Sequence, residues 1–141
     1  MSHIETVSVH IADLEALKAA CKRMGVDFRE GQKTFMSYTG KNPCEHAIHV
    51  EGVIYEIGLV DGHTKVKSWN LSADLDYGPG LELKKKFCKL TEHGSYTHGY
   101  ENLIDAYSVE VLKRKARAQG YRAVESKLPN GKVKLTVYGA N

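Results

Sequence analysis

The sequence predicts an α+β fold, in which an antiparallel sheet of about six strands is covered by two to three helices. We expect a central three-stranded meander and a C-terminal hairpin in this sheet. Two observations indicate this class: strand patterns follow one another instead of alternating with helices, and the last third of the chain reads as helix, glycine and hairpin. With 141 residues, the chain is long enough for a single domain, 1–141, with a buried core.

The first elements are a strand over residues 3–11 and a helix that ends near Met24. Asp13 is a good N-cap residue, and Gly25 is the residue type that most often follows a helix end. The apolar residues of this helix form one narrow stripe: Leu14, Leu17, Cys21 and Met24. Such a stripe predicts a helix that covers one face of a sheet. A short strand over 26–29 and an extended piece over 34–38 should follow.

The central meander is predicted from three strand-like runs, 44–50, 53–60 and 63–71. They are separated by Glu51-Gly52 and Asp61-Gly62. Two-residue loops that end in glycine are the strongest local signal for a hairpin, so we expect two tight turns here.

The C-terminal third begins with a long helix, which should start near Asn102 or Asp105 and stop at Gly120. A shorter helix over 81–90 and an irregular segment over 91–100 precede it. After the long helix, the turn residues Pro129-Asn130-Gly131 separate two strand patterns, 122–128 and 133–138. This arrangement predicts an antiparallel hairpin.

Composition indicates a cytoplasmic protein. No run of residues approaches the length that spans a bilayer, and the N-terminus lacks a signal-peptide pattern. Cys21, Cys44 and Cys88 are odd in number and scattered, which fits a reducing compartment better than a disulfide framework.

Charge is distributed unevenly along the chain. Residues 1–80 have a net charge of −3 and residues 81–141 a net charge of +6. A basic half suits an anionic partner, although it is also compatible with an ordinary solvated surface. The candidate residues for anion or partner binding are the cations of the two helices and two tyrosines between them: Lys84, Lys85, Lys89, Tyr96, Tyr100, Lys113, Arg114, Lys115 and Arg117. The tyrosines would stack on bases.

Lys115 is unusual because it lies between two apolar flanks of the long helix, together with Ser108 and Gln119. In one interpretation, its stem covers apolar surface and its ammonium reaches water. In the other, these three residues line a polar pocket between helix and sheet, where a cation meets an anionic ligand.

Signals for chemistry are weak. Cys44, His46 and His49 could begin a metal site with His93 or His98, but on a strand residues 44 and 46 share a face while 49 points away. We therefore predict neither a metal nor another cofactor. Glu56 and Tyr55 would form an acid–base pair only if they were buried in a cleft. No phosphate-binding glycine motif is present.

The order of several short motifs resembles one family. They are Met1-Ser2-His3, Asp13-Leu14-Glu15-Ala16-Leu17, Tyr55-Glu56-Ile57-Gly58-Leu59, Trp69, Ala106-Tyr107, Gly120-Tyr121 and Asn130-Gly131. This order is similar to the family called hypothetical chloroplast reading frame thirty-five, which occurs in cyanobacteria and plastids and has relatives in phages. Glu56 stands where that family tends to have aspartate. The resemblance implies an α+β fold and a cytosolic or stromal setting, and it implies no catalytic residue.

The sequence thus favours a small cytosolic binding or adaptor protein without catalytic activity, for example a phage protein that acts on a host factor. Its partner is a protein or an anionic ligand and not a membrane. One alternative is nucleic-acid or nucleotide binding through the basic half, and a second is a metal-dependent hydrolase.

Overall fold

The computed structural model describes residues 4–139 of the chain. Their architecture is α+β, as predicted, with one five-stranded sheet, two separate hairpins and three helices. In chain order the elements are β1 (Ile4–Ile11), α1 (Leu14–Met24), β2 (Asp27–Arg29), β3 (Thr34–Ser37), β4 (Gly40–Pro43), β5 (His46–His49), β6 (Ile57–Asp61), β7 (Trp69–Asp74), α2 (Pro79–Phe87), α3 (Glu101–Ala118), β8 (Arg122–Lys127) and β9 (Val133–Tyr138). None of these helices is long and apolar enough to cross a membrane. The Met1-Ser2-His3 motif lies outside the described residues.

The five-stranded sheet has the strand order β1-β7-β6-β5-β2, and every neighbouring pair is antiparallel. The three central strands of this sheet, β5, β6 and β7, form the predicted meander, which is thus confirmed. The prediction of two-residue loops is wrong, because β5 ends at His49 and β6 begins only at Ile57. The chain before β6 bonds to another strand: the Glu56 N–H donates to the carbonyl oxygen of Met36, at 3.0 Å.

The ends of α1 confirm the capping prediction. The Asp13 carboxylate accepts a hydrogen bond from the Ala16 N–H at 3.0 Å, and Gly25 takes the left-handed conformation, with φ of 73°. Glycine adopts this conformation without the steric cost that a Cβ imposes. Local chemistry therefore sets both ends of this helix.

The helices pack on one face of the sheet and enclose the main core. Fully buried residues of this core include Leu17 from α1, Phe87 from α2, Leu103 from α3 and Leu71 from the sheet. Helices α1 and α3 also contact each other, since the Tyr107 hydroxyl accepts hydrogen bonds from the backbone N–H groups that precede α1, both at 3.1 Å.

A small hairpin, β3–β4, covers the opposite face of the sheet. Its Phe35 is 2% exposed and packs with Cys44 and Ala47. The ring lies over Gly58, whose neighbours Ile57 and Leu59 point into the main core. Only the first strand of this hairpin was predicted as extended.

The predicted C-terminal hairpin is confirmed, but it does not join the main sheet. β8 and β9 pair only with each other, from Arg122 opposite Tyr138 to Lys127 opposite Val133. The hairpin follows α3 directly and contacts it. It therefore forms a two-stranded ribbon beside the helical layer.

Candidate functional site

The two faces of the β8–β9 ribbon have different environments. Residues that alternate along a strand point to opposite faces. The inner face carries four half-buried residues, Ala123, Glu125, Val133 and Leu135, and two exposed ones near its ends, Lys127 and Val137. The outer residues are Arg122, Val124, Ser126, Lys134, Thr136 and Tyr138, of which only Thr136 is half-buried.

Glu125 attaches the inner face of the ribbon to both long helices. Its carboxylate accepts hydrogen bonds from the Arg23 guanidinium of α1, with Nη1 at 3.0 Å from Oε2, and from Lys113 Nζ of α3, at 2.9 Å from Oε1. Lys113 also lies 3.4 Å from the Glu110 carboxylate. The hydrogen bond from Arg23, and then that from Lys113, lower the pKa of Glu125 from 4.5 to about 2.

This anchor should make the ribbon sensitive to acid. The pKa of Glu125 is lower in the folded protein than in the unfolded chain, so its stabilising contribution is complete above pH 4.5 and is lost as the pH falls from 4.5 to about 2. We expect the NMR amide shifts of residues 121–139 to move away from their folded positions over this range.

A matched pair of variants isolates the effect. Glu125→Gln should loosen the attachment of the ribbon already at neutral pH, because the amide side chain carries no charge. For the same reason, the ribbon of this variant should show no acid transition. Glu92→Gln, in the exposed loop before α3, serves as the control and should leave the transition unchanged. If the amide shifts of the ribbon change with pH in Glu125→Gln as they do in the wild type, Glu125 is not the group that makes the ribbon sensitive to acid.

Positive charge is concentrated in residues 112–138. This stretch holds eight lysines and arginines and one acidic residue, Glu125, which gives a net charge of +7. Six of the cations are exposed and have no ion-pair partner among the side chains described in residues 4–139. We name them the basic hairpin surface: Lys115, Arg117, Arg122, Lys127, Lys132 and Lys134.

Several cations predicted from the sequence are instead engaged in ion pairs. Lys84 lies 3.2 Å from Asp76, Lys89 lies 3.7 Å from Asp105, and Arg114 donates to the Asp13 carboxylate at 2.9 Å. With Lys113 bound to Glu125, four of the seven predicted cations have acidic neighbours. They contribute less to the external field than the sequence indicated, since a carboxylate lies beside each of them.

The remaining predicted residues fall into two groups. Lys85, Lys115 and Arg117 are exposed, as a binding role requires. Tyr96 is half-buried against the core, and Tyr100 is completely buried. That burial is incompatible with the base stacking predicted for Tyr100, because no base can reach its ring.

The structure also decides between the two interpretations of the polar stripe of α3, which is formed by Ser108, Lys115 and Gln119. Lys115 and Gln119 are both exposed, so they line no pocket between helix and sheet. Ser108 does line a groove beside the ribbon, but with other residues. Of the two interpretations of Lys115, the solvent-reaching one agrees with its exposure.

Glu56 lies in a cleft of about 630 Å³, together with Tyr55, His49 and Tyr38. Of the predicted acid–base pair, Glu56 is therefore buried in a cleft, whereas Tyr55 is only half-buried. However, both carboxylate oxygens of Glu56 have structural donors. Oε1 accepts from the Met36 N–H at 3.1 Å, and Gln32 Nε2 lies 3.1 Å from each oxygen. The carboxylate thus holds β3 on the sheet.

The candidate metal ligands do not converge. His46 accepts a hydrogen bond from the Gly31 N–H at 2.9 Å and packs near Trp69, whereas His49 lies beside Glu56, with Nδ1 3.3 Å from Oε2. Cys44 precedes the strand and packs with Phe35, so the expectation that Cys44 and His46 share a face is wrong. His98 binds Asp76 at 2.6 Å. No group of three potential ligands occurs in residues 4–139.

Four residues of the basic hairpin surface were missing from the sequence-based candidates: Arg122, Lys127, Lys132 and Lys134. Their signal was present, because Lys132 and Lys134 alternate with the apolar residues of the last strand. A strand that carries cations on one side and apolar residues on the other exposes the cations when it is covered on one face only.

The chain matches no protein-family model, and comparison with curated proteins and with solved structures also yields no match. The similarity to the hypothetical chloroplast reading frame thirty-five family therefore stays a prediction from short motifs. The arguments for function come from the geometry of the ribbon and its surroundings.

Proposed function

We propose that this protein binds nucleic acid through the basic hairpin surface. The observation that carries the proposal is the charge imbalance of this surface. Six exposed cations lack ion-pair partners among the described side chains of residues 4–139, while the one acidic residue of the same stretch faces inward. Such uncompensated charge attracts a polyanion and repels a second copy of the same surface.

The shape and chemistry of the ribbon support a nucleic-acid partner. Each strand has six residues, so the ribbon is about 20 Å long, and the major groove of DNA admits a two-stranded ribbon. Its outer face presents Arg122, Ser126 and Lys134, which are donors for phosphate oxygens and base edges. Tyr138 lies under the Arg122 guanidinium, 5.2 Å from ring centroid to Cζ, and its exposed ring is available for stacking.

Charge reversal on the ribbon tests the proposal. We expect the double variant Lys127→Glu/Lys134→Glu to bind a duplex of about 20 base pairs at least ~10-fold more weakly than the wild type at low salt, because two phosphate contacts are lost. The logarithmic salt dependence of binding should become shallower by about 2 units. Fluorescence anisotropy of a labelled duplex and of a single strand measures both quantities.

Lys41→Glu/Lys65→Glu is the matched control, since these lysines are exposed, lie outside the ribbon and change the net charge equally. Equal losses in the two double variants would mean that only net charge matters. The absence of any complex with either oligonucleotide at low salt would refute nucleic-acid binding.

A second candidate is an adaptor for an acidic protein. It is favoured by apolar side chains that are exposed around the cations: Leu112, Tyr121, Val124, Leu128 and Val137. Nucleic acid makes less use of the four aliphatic residues than a protein partner would, since protein interfaces bury apolar side chains. Leu112→Ser, on α3 and outside the ribbon, should leave oligonucleotide affinity unchanged if the first proposal holds, and it should weaken an adaptor complex.

The proposal includes a cytoplasmic setting, which the three buried and unpaired cysteines support. Membership of the hypothetical chloroplast reading frame thirty-five family, and the action of a phage protein on a host factor, are also part of the proposal. They rest on the order of the short motifs.

A further inference from the structure

A groove separates the tip of the ribbon from the helical layer. It has a volume of about 810 Å³ and lies between the turn at Asn130-Gly131-Lys132, the first half of α3 and the end of α1. A volume of this order is typical of sites for small organic ligands. We name it the hairpin groove.

The lining of the hairpin groove combines three kinds of groups. Met24, Ala106 and Val109 supply an apolar surface from the two helices. Asp105 and Ser108 add polar groups on the α3 side, and Asn130 adds one on the ribbon side. The cations Lys89 and Lys132 both line the groove, Lys89 from the segment before α3 and Lys132 from the ribbon turn.

Both lysines are available to a ligand. Lys132 is exposed and has no ion-pair partner among the described side chains of residues 4–139. Lys89 has only Asp105, at 3.7 Å, and both side chains are more than half exposed, at 58% and 69%. Exposed pairs of this kind contribute little stability, so an anion can replace the carboxylate at small cost. Arg23 also lines the groove, but Glu125 already holds it.

We propose that the hairpin groove binds a free mononucleotide or a closely similar aromatic phosphate. The phosphate would bind Lys132 and Lys89, and the planar base would lie on the apolar surface formed by Met24 and Val109. Ser108 and Asn130 offer hydrogen bonds to the edge of the base. This site goes beyond nucleic-acid docking, because Lys132 is the one residue of the basic hairpin surface in its described lining and the outer face of the ribbon takes no part in it.

Titration with AMP, adenosine and inorganic phosphate, followed by amide NMR shifts, tests the proposal. AMP should perturb Val109 and Gly131, and it should bind at least ~10-fold more tightly than adenosine or phosphate alone, since only AMP supplies both the base and the charge. Equal affinity for phosphate and AMP would reduce the site to a simple anion site and overturn the assignment. The absence of shifts in the groove would overturn it as well.

Two variants locate the binding. Ser108→Tyr fills the groove from an exposed position of α3 and should abolish the AMP shifts. Lys89→Gln should weaken AMP binding, while Lys85→Gln, at an exposed lysine of the neighbouring helix outside the groove, should leave it unchanged. Thermal melts of each variant confirm that it is folded.

The same variants separate this proposal from nucleic-acid binding. Ser108→Tyr should keep its oligonucleotide affinity, and Lys127→Glu/Lys134→Glu should keep AMP binding. If AMP binding is instead lost in the charge-reversal variant and kept in Ser108→Tyr, AMP occupies the basic hairpin surface and the groove assignment is wrong. If oligonucleotides fail to bind while AMP binds the groove, only the nucleic-acid proposal fails.

Discussion

Replacing Glu56 by alanine should lower the free energy of unfolding by about 3 kcal/mol, because a buried carboxylate that satisfies several donors is removed. The residue is 8% exposed. Its removal leaves the Met36 N–H without its carboxylate acceptor and the Gln32 amide with only the Thr34 carbonyl oxygen, and it leaves the Arg29 guanidinium, at 3.8 Å, without its anion. Urea denaturation, followed by circular dichroism, measures the change.

Two comparison variants make this result specific. Glu51→Ala, in the exposed turn before β6, should change stability by no more than about 0.5 kcal/mol. Glu56→Gln keeps the shape of the side chain and one acceptor oxygen, so its loss of stability should lie between those of Glu56→Ala and Glu51→Ala. Equal stabilities for Glu56→Ala and Glu51→Ala would show that the carboxylate does not hold β3 on the sheet.

The parts of the fold that the sequence predicted are those set by local chemistry. Asp13 and Gly25 define α1 because a side-chain cap and a left-handed glycine act within one helical turn. The same holds for the ribbon, where Pro129-Asn130-Gly131 forms the turn and the Gly131 N–H bonds to the Leu128 carbonyl oxygen at 2.9 Å. The local hairpin signal at Glu51-Gly52 failed, in contrast, because the chain that follows it bonds to β3 before β6 begins.

The β3–β4 hairpin was missed because tertiary contacts create it. Its second strand, Gly40–Pro43, contains glycine, asparagine and proline, which are rare in strands. The turn is held by a side chain: Asn42 Nδ2 donates to Ser37 Oγ at 2.7 Å and to the Gly40 carbonyl oxygen at 3.0 Å. Neither this bonding nor the site for Phe35 over Gly58 is visible in the hydrophobic pattern.

The candidate site was predicted only in part, for a similar reason. A sequence shows which residues are charged, but it does not show which charges meet. Arg114 is neutralised by Asp13, which lies 101 residues earlier in the chain, whereas Lys134 remains unpaired among the described residues. The exposed cations without ion pairs thus belong to the basic half of the sequence, but they lie mainly in the ribbon and not on α2.

The close contact between Phe35 and Gly58 leads to the second large effect. A Cβ at position 58 would lie less than 3.0 Å from three atoms of the Phe35 ring. Because that ring is 2% exposed and enclosed by the small core around it, it has little room to move. Gly58→Ala should therefore lower the free energy of unfolding by about 2 kcal/mol, in the range typical of overpacked cores. Urea denaturation measures it.

A double-mutant cycle tests whether this cost comes from the ring. Phe35→Ala alone should be destabilising because it leaves a cavity, but it removes the ring atoms that the new Cβ would meet. The double variant Gly58→Ala/Phe35→Ala should thus be more stable than the sum of the single effects predicts, by at least ~1 kcal/mol. Gly139→Ala, where no atom lies within 4 Å of the added Cβ, is the control for a glycine substitution without a clash. Additive effects in the cycle would mean that Phe35 and Gly58 are not in contact, and the hydrogen bonds between Glu56 and Met36 would then be what attaches β3–β4 to the sheet.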